Sequence, residues 1–324
     1  PLWMIGIIGS IRFGKRFNSS IFAYFSSLFV FNSYFFLIVG GGQMGVAWGY
    51  VIAPWVLDGI FQLSDALLVS RKDILRLTLY VAVVYAIQLF FDARMAYISL
   101  LVIGLFIIWI LIIHKVDRFL IRRLFGSFMM FTLTVIGLHA FWLLPFLKFP
   151  VSLSESIGTV YTSSQATKFF SFADFSHTLS LLHPNWPENL FGKVYFLQPE
   201  FLVLPIIAFS ALIFHDKKIR FFALLALIGA FLAKGANPPF GEVYIWLFEH
   251  VPGFIMFRDP TKFYLLIALS YSILIPFTLE HVGIWLQNTH KKFSKLLSFS
   301  FVLSVLFVVF WGFAHREAVL GKLG

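Results

Sequence analysis

The sequence predicts an all-α fold, a polytopic bundle of transmembrane helices with two long extracytoplasmic loops that contain short helices. Hydrophobic residues make up 60% of the 324 positions and charged residues only 12%, whereas a soluble domain carries about twice as much charge. Apolar stretches long enough to approach or cross a hydrocarbon core of about 30 Å recur along the whole chain. Lysine and arginine cluster in every second connection between these stretches, which is typical of a chain that crosses a membrane repeatedly.

The apolar stretches predict about nine to ten spans in a single domain that covers residues 1–324. Residues 1–9 have the composition of the end of a span. Further spans are expected, within a few residues at each end, at 20–39, 47–68, 77–91, 96–114, 126–147, 199–214, 221–234, 262–285 and 297–314. Because the chain starts at Pro1 and stops at Gly324 just after a span, we expect it to be a piece of a longer protein.

The distribution of basic residues predicts which connections face the cytoplasm. One alternate set of short connections holds 16 of the 25 lysine and arginine residues, namely Arg12, Lys15, Arg16, Arg71, Lys72, Arg76, Lys115, Arg118, Arg122, Arg123, Lys217, Lys218, Arg220, Lys291, Lys292 and Lys295. Basic residues in short loops stay cytoplasmic, so this set faces inward. The other set includes the two long loops, residues 148–198 and 235–261, which we expect to face outward and to build any functional site.

Two features of the composition exclude other classes of function. The net charge of +10 comes from short basic clusters between spans, which indicates membrane topology rather than nucleic-acid binding. Cysteine is absent from the sequence. Disulfides, thiolate metal sites and cysteine nucleophiles are therefore excluded.

The stretch GGGQMG, residues 40–45, has the spacing of a dinucleotide-binding fingerprint. Such a fingerprint must join a strand to a helix, whereas this stretch joins two predicted spans. It therefore predicts a tight turn, in which glycine permits a positive φ. From that turn Gln43 is still able to point its side-chain amide at a ligand.

Two aspartates fall within a predicted span, at Asp58 and Asp65. A separation of seven residues places them two turns apart on one helix face. Asp65 lies near the cytoplasmic end, where we expect it to meet water or an arginine. Asp58 lies deeper, and a carboxylate at that depth is commonly paired or functional. Two interpretations stay open for Asp58, a structural hydrogen bond and a role in an ion or substrate path.

Polar residues on the predicted outer side are weaker candidates. Asp92 and Arg94 occupy a turn between two spans, where a helix cap with a surface ion pair contributes under about 1 kcal/mol. A functional role is the alternative, because this turn opens toward the long loops. The first long loop carries Glu155, Asp174, His177, His183 and Glu188. Their spacing matches no common zinc motif, so we expect most of them to be hydrogen-bonded loop residues, although any of them has the chemistry of a general base.

The stretch GFIMFRDPTKF, residues 253–263, carries the best candidate site. Asp259 followed by Pro260 has the form of an N-cap with proline at the first helical position. A helix N-terminus attracts anions, and Arg258 and Lys262 flank it with full positive charges. We therefore expect an anion site at the outer membrane surface. The alternative is that Arg258 pairs with Asp259 while Lys262 extends to lipid headgroups.

Three stretches resemble one family of membrane enzymes. The stretch FLAKGANPPFGEVYIWLFEHVPGFIMFRDPTKFYLLIALSYSILI, residues 231–275, is similar to the late membrane region of GT-C type glycosyltransferases, the YfhO-type and arabinofuranosyltransferase-like proteins. FVFNSYFFLIVGGGQMGVAWGYVIAPWVL, residues 29–57, resembles that family's Asn-x-Tyr segment with its Gly-Gln turn. GLHAFWLLPFLKFP, residues 137–150, resembles its entry into an outer loop.

The resemblance implies an enzyme of the bacterial or archaeal cytoplasmic membrane that transfers a sugar from a polyprenyl-phosphate donor to a glycan or lipid acceptor on the outer face. Arg258 and Lys262 would bind the donor phosphate, and Asp259 would cap the helix and orient Arg258. Glu249, His250 and Asp92 are weaker candidates for catalysis or for sugar and acceptor contacts. The family's catalytic acid lies in a first outer loop that would precede Pro1, so it has no counterpart here, and some members use a divalent metal, Mg or Mn.

Two other functions compete with this interpretation. A transporter or flippase of lipid-linked sugars would need a charged path through the bundle, for which Asp58 is the deep acid available. A non-catalytic scaffold for envelope assembly would instead use the outer loops to bind partner proteins. In each case membrane lipids surround the chain, and no nucleic acid is expected as a partner.

Overall fold

The computed structural model describes residues 1–19, 21–69, 73–114, 117–148, 163–181, 199–289 and 299–316. Every regular element in these ranges is an α-helix or a 3-10 helix, and none of them is a strand. The predicted all-α class is therefore confirmed. The α-helices are α1 (Leu2–Gly14), α2 (Ser33–Gly40), α3 (Met44–Val69), α4 (Ile74–Phe91), α5 (Ala93–Ile113), α6 (Arg118–Lys148), α7 (Ser164–Phe170), α8 (Phe175–Leu179), α9 (Val203–Ser210), α10 (Lys217–Ala233), α11 (Gly241–His250), α12 (Tyr264–Thr289) and α13 (Phe299–Ala314).

Five helices of the described chain are long and apolar enough to cross a membrane. They are α3, α4, α5, α6 and α12, the last together with the 3-10 turn Pro260–Phe263 that leads into it. Shorter apolar helices lie at Leu2–Gly14, Pro199–Phe214 and Phe299–Ala314, where the sequence also predicts spans, and α10 covers the predicted span 221–234. The count of nine to ten spans stays a prediction.

The predicted span 20–39 is broken in the structure. A 3-10 helix at Phe22–Phe29 and helix α2 meet at an angle of 44°. Asn32 causes the break, because its side-chain oxygen accepts a hydrogen bond from the Phe35 backbone N–H at 3.0 Å and caps α2. Its amide nitrogen donates to the Phe29 carbonyl at 2.6 Å and to the Tyr50 hydroxyl at 3.2 Å. The polar groups freed at the break are thus satisfied inside the bundle.

Helix α12 is the centre of the bundle and α6 lies at its edge. In the most apolar window of each helix, 94% of the residues are buried for Pro260–Thr289 and 11% for α6. Within α6 the buried residues are Leu120 and His139. The exposed sides of α6 are apolar as well, so this helix is more stable in contact with lipid than with water.

Successive helices alternate in direction, so the bundle has two distinct ends. Helices α3 and α5 and the segment Pro260–Thr289 begin at one end, which we call the cavity end. At the opposite end, which we call the arginine end, Arg12 and Arg16 of the α1 region contact Asp58 of α3. Helix α6 begins at this end, where Arg123 donates to the Leu67 carbonyl.

The described parts of the two long loops meet at the cavity end. The Asn237 side-chain amide donates to the Ser171 and Ala173 carbonyls, each at 2.7 Å. The Ala236 backbone N–H donates to the Ser171 hydroxyl at 2.9 Å. Residues 163–181 and 235–261 therefore form one connected layer over the helix ends. They include the short helices α7, α8 and α11.

Candidate functional site

A cavity of about 700 Å³ lies at the cavity end, beside the first residues of α3 and α5 and the turn that starts at Pro260. Its wall comprises the turn 42–46, Asp92 and Arg94, Phe170 of α7, and Ile255, Met256, Arg258, Asp259 and Lys262. The sequence predicts Arg258, Asp259 and Lys262 as one anion site and Asp92 as a separate candidate. The structure brings these four residues together around one space.

Asp259 caps the helix that follows it, as the sequence predicts. Its backbone is extended, with φ of −97° and ψ of 102°, and Pro260 occupies the first helical position. The Asp259 carboxylate accepts hydrogen bonds from the Thr261 backbone N–H at 3.0 Å and from the Thr261 hydroxyl at 2.6 Å. The cap therefore fixes where the helix begins, at the wall of the cavity.

Lys262 is buried, which excludes the alternative in which it extends to lipid headgroups. Only 2% of the residue is exposed. Its ammonium lies 2.7 Å from an Asp259 carboxylate oxygen and donates to the Gln43 side-chain oxygen at 3.2 Å. Gln43 belongs to the turn predicted from GGGQMG, which the structure confirms with a φ of +70° at Gly42. A fixed positive charge thus stands in the cavity wall.

Arg258 lies half-buried beside the same space. Its guanidinium carbon is 5.7 Å from the centre of the Phe170 ring, a cation–π distance. The preceding turn, Phe254–Phe257, is held by Tyr244, whose hydroxyl donates to the Phe257 carbonyl at 2.6 Å. Burial raises the pKa of Tyr244 well above its usual range, and the negative charge of Asp259 adds to this rise. Tyr244 therefore stays a neutral donor at any physiological pH.

Asp92 and Arg94 form a partly buried ion pair in the cavity wall rather than a surface pair. The Asp92 carboxylate caps α5 by accepting from the Arg94 and Met95 backbone N–H groups at 2.9 and 3.0 Å. It also accepts from the Arg94 guanidinium at 2.7 Å, and 7% of the Asp92 side chain is exposed. The predicted cap is confirmed. The functional role remains a prediction.

The turn 42–46 adds backbone donors that the sequence did not single out. Gly45 and Val46 begin α3 and line the cavity. Among the described residues, neither of their backbone N–H groups has a hydrogen-bond acceptor. Free N–H groups at a helix start attract anions, and the helix dipole adds roughly half a positive charge. The signal in the sequence was a glycine-rich turn directly before an apolar helix.

The cavity therefore favours anions. Arg94, Arg258 and Lys262 carry three positive charges against the two carboxylates of Asp92 and Asp259. Each of these carboxylates accepts hydrogen bonds from a helix start and forms an ion pair. The positive ends of three helix dipoles add to this excess. A phosphate or another compact anion suits such a wall.

Glu249 and His250 lie outside the cavity. Both are exposed at the end of α11. The His250 ring stacks on Trp246 with centres 5.2 Å apart, and its Nδ1 is 3.0 Å from the Trp246 carbonyl oxygen. The structure thus does not bring these two candidates to the residues around Arg258.

Asp174 and His177 serve the local structure of the first long loop. The Asp174 carboxylate caps α8 by accepting from the His177 backbone N–H at 2.8 Å, and the His177 Nδ1 is 2.7 Å away. Burial alone would raise the pKa of Asp174, but hydrogen bonds from His177 and Ser176 outweigh it and lower the pKa. The other candidates of this loop, Glu155, His183 and Glu188, lie outside the described residues.

Asp58 at the arginine end belongs to a closed network. It is 2% exposed and accepts from the Nε atoms of Arg12 and Arg16 at 2.7 and 2.5 Å. The Gln62 amide donates to it at 2.8 Å. Asp65 meets Arg16 at 3.5 Å, which confirms that it contacts an arginine. Of the two interpretations of Asp58, these contacts favour the structural one.

Comparison of the chain with protein-family models, with curated proteins and with solved structures gives no match. The geometry of the cavity is therefore the main basis for assigning a function. Metal ligation receives little support from it, because no three His, Cys, Asp or Glu side chains cluster among the described residues.

Proposed function

We propose that this chain supplies the donor-phosphate site of a GT-C type membrane glycosyltransferase. In this proposal the enzyme transfers a sugar from a polyprenyl-phosphate donor to a glycan or lipid acceptor on the outer face of a bacterial or archaeal cytoplasmic membrane. The observation that supports it most is the meeting of Arg258, Lys262 and the free N–H groups of α3 around one cavity at the end of an apolar bundle.

The donor phosphate would bind where these groups converge. Arg258 is able to hold a phosphate through two parallel hydrogen bonds, while Lys262 contributes a point charge. The Gly45 and Val46 N–H groups, which belong to the same cavity wall, would supply further donors. Asp259 and Gln43 hold the Lys262 ammonium in place before the ligand arrives, so little side-chain entropy is lost on binding.

The rest of the cavity wall fits an amphipathic donor. Met44, Val46, Ile255 and Met256 provide apolar surface beside the charged groups. A phosphate held at the end of the bundle leaves its polyprenyl tail free to lie along apolar helices. A free sugar phosphate has no apolar tail to contact these helices.

The chemical step needs a general base that this cavity does not offer. Asp92 and Asp259 are both engaged as helix caps and ion-pair partners, so a base with a free carboxylate is expected from the family's first outer loop. A divalent metal, if the enzyme uses one, would neutralise phosphate charge. Both cavity carboxylates already hold cations.

The flippase alternative receives less support. It depends on Asp58 as a deep charged group, and Asp58 is surrounded by Arg12, Arg16 and Gln62. Those contacts satisfy the carboxylate and leave it without an open face for a passing headgroup.

Binding of undecaprenyl phosphate to the purified full-length protein in nanodiscs tests the proposal. Native mass spectrometry would measure the bound fraction for the unaltered protein, for Arg258→Ala, and for Lys262→Met combined with Asp259→Asn, which leaves no unpaired charge. Arg76→Ala at the arginine end is the matched control. We expect binding to be about tenfold weaker in Arg258→Ala and in the Lys262→Met, Asp259→Asn double variant. Binding should be unchanged in Arg76→Ala. Equal binding in all of them would rule the proposal out.

A further inference from the structure

The cavity at the end of the bundle carries more positive charge than one phosphodiester neutralises. Its described wall holds five charged side chains, the cations Arg94, Arg258 and Lys262 and the carboxylates Asp92 and Asp259. The formal excess is one positive charge. Three helices also begin at this wall, namely α3, α5 and the segment that starts at Pro260. Because each helix start is equivalent to roughly half a positive charge, the total excess is about 2.5 positive charges.

Arg94 is a cation of this wall that has donors left for a ligand. The Asp92 carboxylate holds one edge of the guanidinium, with its oxygens 3.2 and 3.3 Å from Nε and 2.7 Å from one Nη atom. Asp92 is itself fixed, because it accepts from the Arg94 and Met95 backbone N–H groups. Among the described residues no acceptor contacts the other Nη atom, and 36% of the Arg94 side chain is exposed. That nitrogen is therefore available to a ligand in the cavity.

The other two cations occupy a different part of the wall. Arg258 and Lys262 lie at the consecutive 3-10 turns before α12, whereas Arg94 lies in the first turn of α5. The Lys262 ammonium is already shared by Asp259 and Gln43. A phosphate that contacts Arg258 and Lys262 thus needs a further cation for a second negative charge. Arg94 is the remaining cation of the described wall.

We infer that the cavity selects a phosphate with two negative charges, the dianion of a phosphomonoester, and that Arg94 binds the second charge. A phosphodiester carries a single negative charge, whereas a monoester loses its second proton with a pKa of about 6. Charge-assisted hydrogen bonds from a guanidinium strengthen with the charge of the acceptor, so the dianion gains most from Arg94.

The consequence for turnover rests on the proposed function. Sugar transfer breaks the bond between the anomeric carbon and a phosphate oxygen, and the electron pair stays on the phosphate. The acceptor hydroxyl oxygen bonds to that carbon, and its proton goes to the carboxylate base expected from the first outer loop. The donor is thus a phosphodiester, and the carrier that remains is a phosphomonoester. A cavity selective for the dianion holds the spent carrier more tightly than the donor, so the carrier inhibits the enzyme until it leaves.

Two lipids with the same chain isolate the second charge. Undecaprenyl phosphate gains this charge between pH 5 and pH 8, whereas its monomethyl ester keeps one charge throughout. Native mass spectrometry of the full-length protein in nanodiscs would measure both lipids at both pH values. We expect undecaprenyl phosphate to bind about tenfold more tightly at pH 8 than at pH 5. The ester should bind equally at the two pH values, and it reports any titration of the wall itself.

Substitutions at Arg94 test its role. Arg94→Gln should reduce the tenfold pH preference to less than about twofold. Arg94→Lys keeps the charge and the ion pair with Asp92, so it should retain part of the preference and provides a variant that still folds should the glutamine variant fail to do so. Arg76→Gln at the arginine end is the matched control and should keep the full preference.

Four results would overturn the inference in different ways. Equal binding of undecaprenyl phosphate at the two pH values would remove the dianion preference, while a loss of binding of both lipids in Arg258→Ala would leave the proposed function standing. Failure of both lipids to bind the unaltered protein would overturn the proposed function as well. A full pH preference in folded Arg94→Gln would exclude Arg94. Displacement of the lipid by an equal concentration of inorganic phosphate would identify free phosphate as the ligand.

Discussion

The two ends of the bundle use the same residue types in different ways. At the arginine end Asp58 is enclosed by Arg12, Arg16 and Gln62, so the donors surround one buried carboxylate. At the cavity end the carboxylates are also paired, but Arg258, Lys262 and the first turn of α3 line an open space of about 700 Å³. A buried charge that is enclosed by its partners, away from any cavity, is structural. Positively charged groups that line an open space indicate a ligand site.

The largest expected effect concerns the closed network. Asp58→Ala would leave Arg12 and Arg16 facing each other without their shared partner, so the free energy of unfolding should fall by about 3 kcal/mol. Unfolding of the purified protein in detergent, followed by circular dichroism, measures it. Asp65→Ala is the control, since Asp65 is half-exposed and 3.5 Å from Arg16, and should cost under about 1 kcal/mol. An equal fall in the free energy of unfolding in both variants would show that the buried network around Asp58 contributes no more than a surface ion pair.

The next effect separates Lys262 from its partners. Lys262→Met leaves Asp259 beside an apolar side chain, and we expect a loss of stability of about 2 kcal/mol. Adding Asp259→Asn should recover part of this loss, because the unpaired charge is then gone. A double-mutant cycle on thermal unfolding measures the coupling. A coupling energy of zero would mean that the contact at 2.7 Å contributes nothing to the wall of the cavity.

A smaller effect on stability, but a clear one on binding, is expected for the turn at Gly45. Gly45→Pro removes a backbone N–H of a residue that lines the cavity, while proline is tolerated in the first turn of a helix. We expect undecaprenyl phosphate to bind about threefold to tenfold more weakly in nanodiscs. Gly45→Ala, which keeps the N–H group, is the matched control. Equal binding by the proline and alanine variants would exclude this donor.

The smallest effect is expected at Glu249 and His250. Both are exposed and lie outside the cavity, so Glu249→Gln and His250→Gln should change unfolding by less than about 0.5 kcal/mol. Donor binding should be unchanged as well, as measured by the same mass spectrometry. A loss of donor binding in either variant would show that the site extends to α11 and that these two residues are part of it.

Local patterns in the sequence were sufficient where one residue acts on its neighbours. The caps at Asp259 and Asp92 and the turn at Gly42 follow from residue type and position alone. The apolar stretches and alternating basic clusters predicted the helical class and placed the long loops 148–198 and 235–261 at a common end. The described residues 163–181 and 235–261 do meet there. That this end faces outward stays a prediction from the distribution of charge, because the orientation is defined relative to the membrane.

Contacts between distant parts of the chain were beyond such patterns. The buried Lys262 ammonium finds a hydrogen-bond acceptor in Gln43, which lies more than 200 positions earlier in the chain. The break at Asn32 depends on Tyr50 of another helix, so an apolar stretch at 20–39 gave no sign of it. In both cases a tertiary contact overrides local composition. The start of α6 at Arg118 precedes the predicted 126 for a local reason, because Asp117 caps the helix ahead of the apolar stretch.

Cysteine labelling in intact cells tests most directly whether the cavity end forms one outward-facing site. The chain contains no cysteine, so single substitutions at exposed positions report accessibility without background. We expect Lys168→Cys and Glu249→Cys to react with a membrane-impermeant maleimide from outside, and Arg122→Cys to react only after permeabilisation. Labelling of Lys168→Cys and Glu249→Cys from opposite sides, or of both only from inside, would contradict the account.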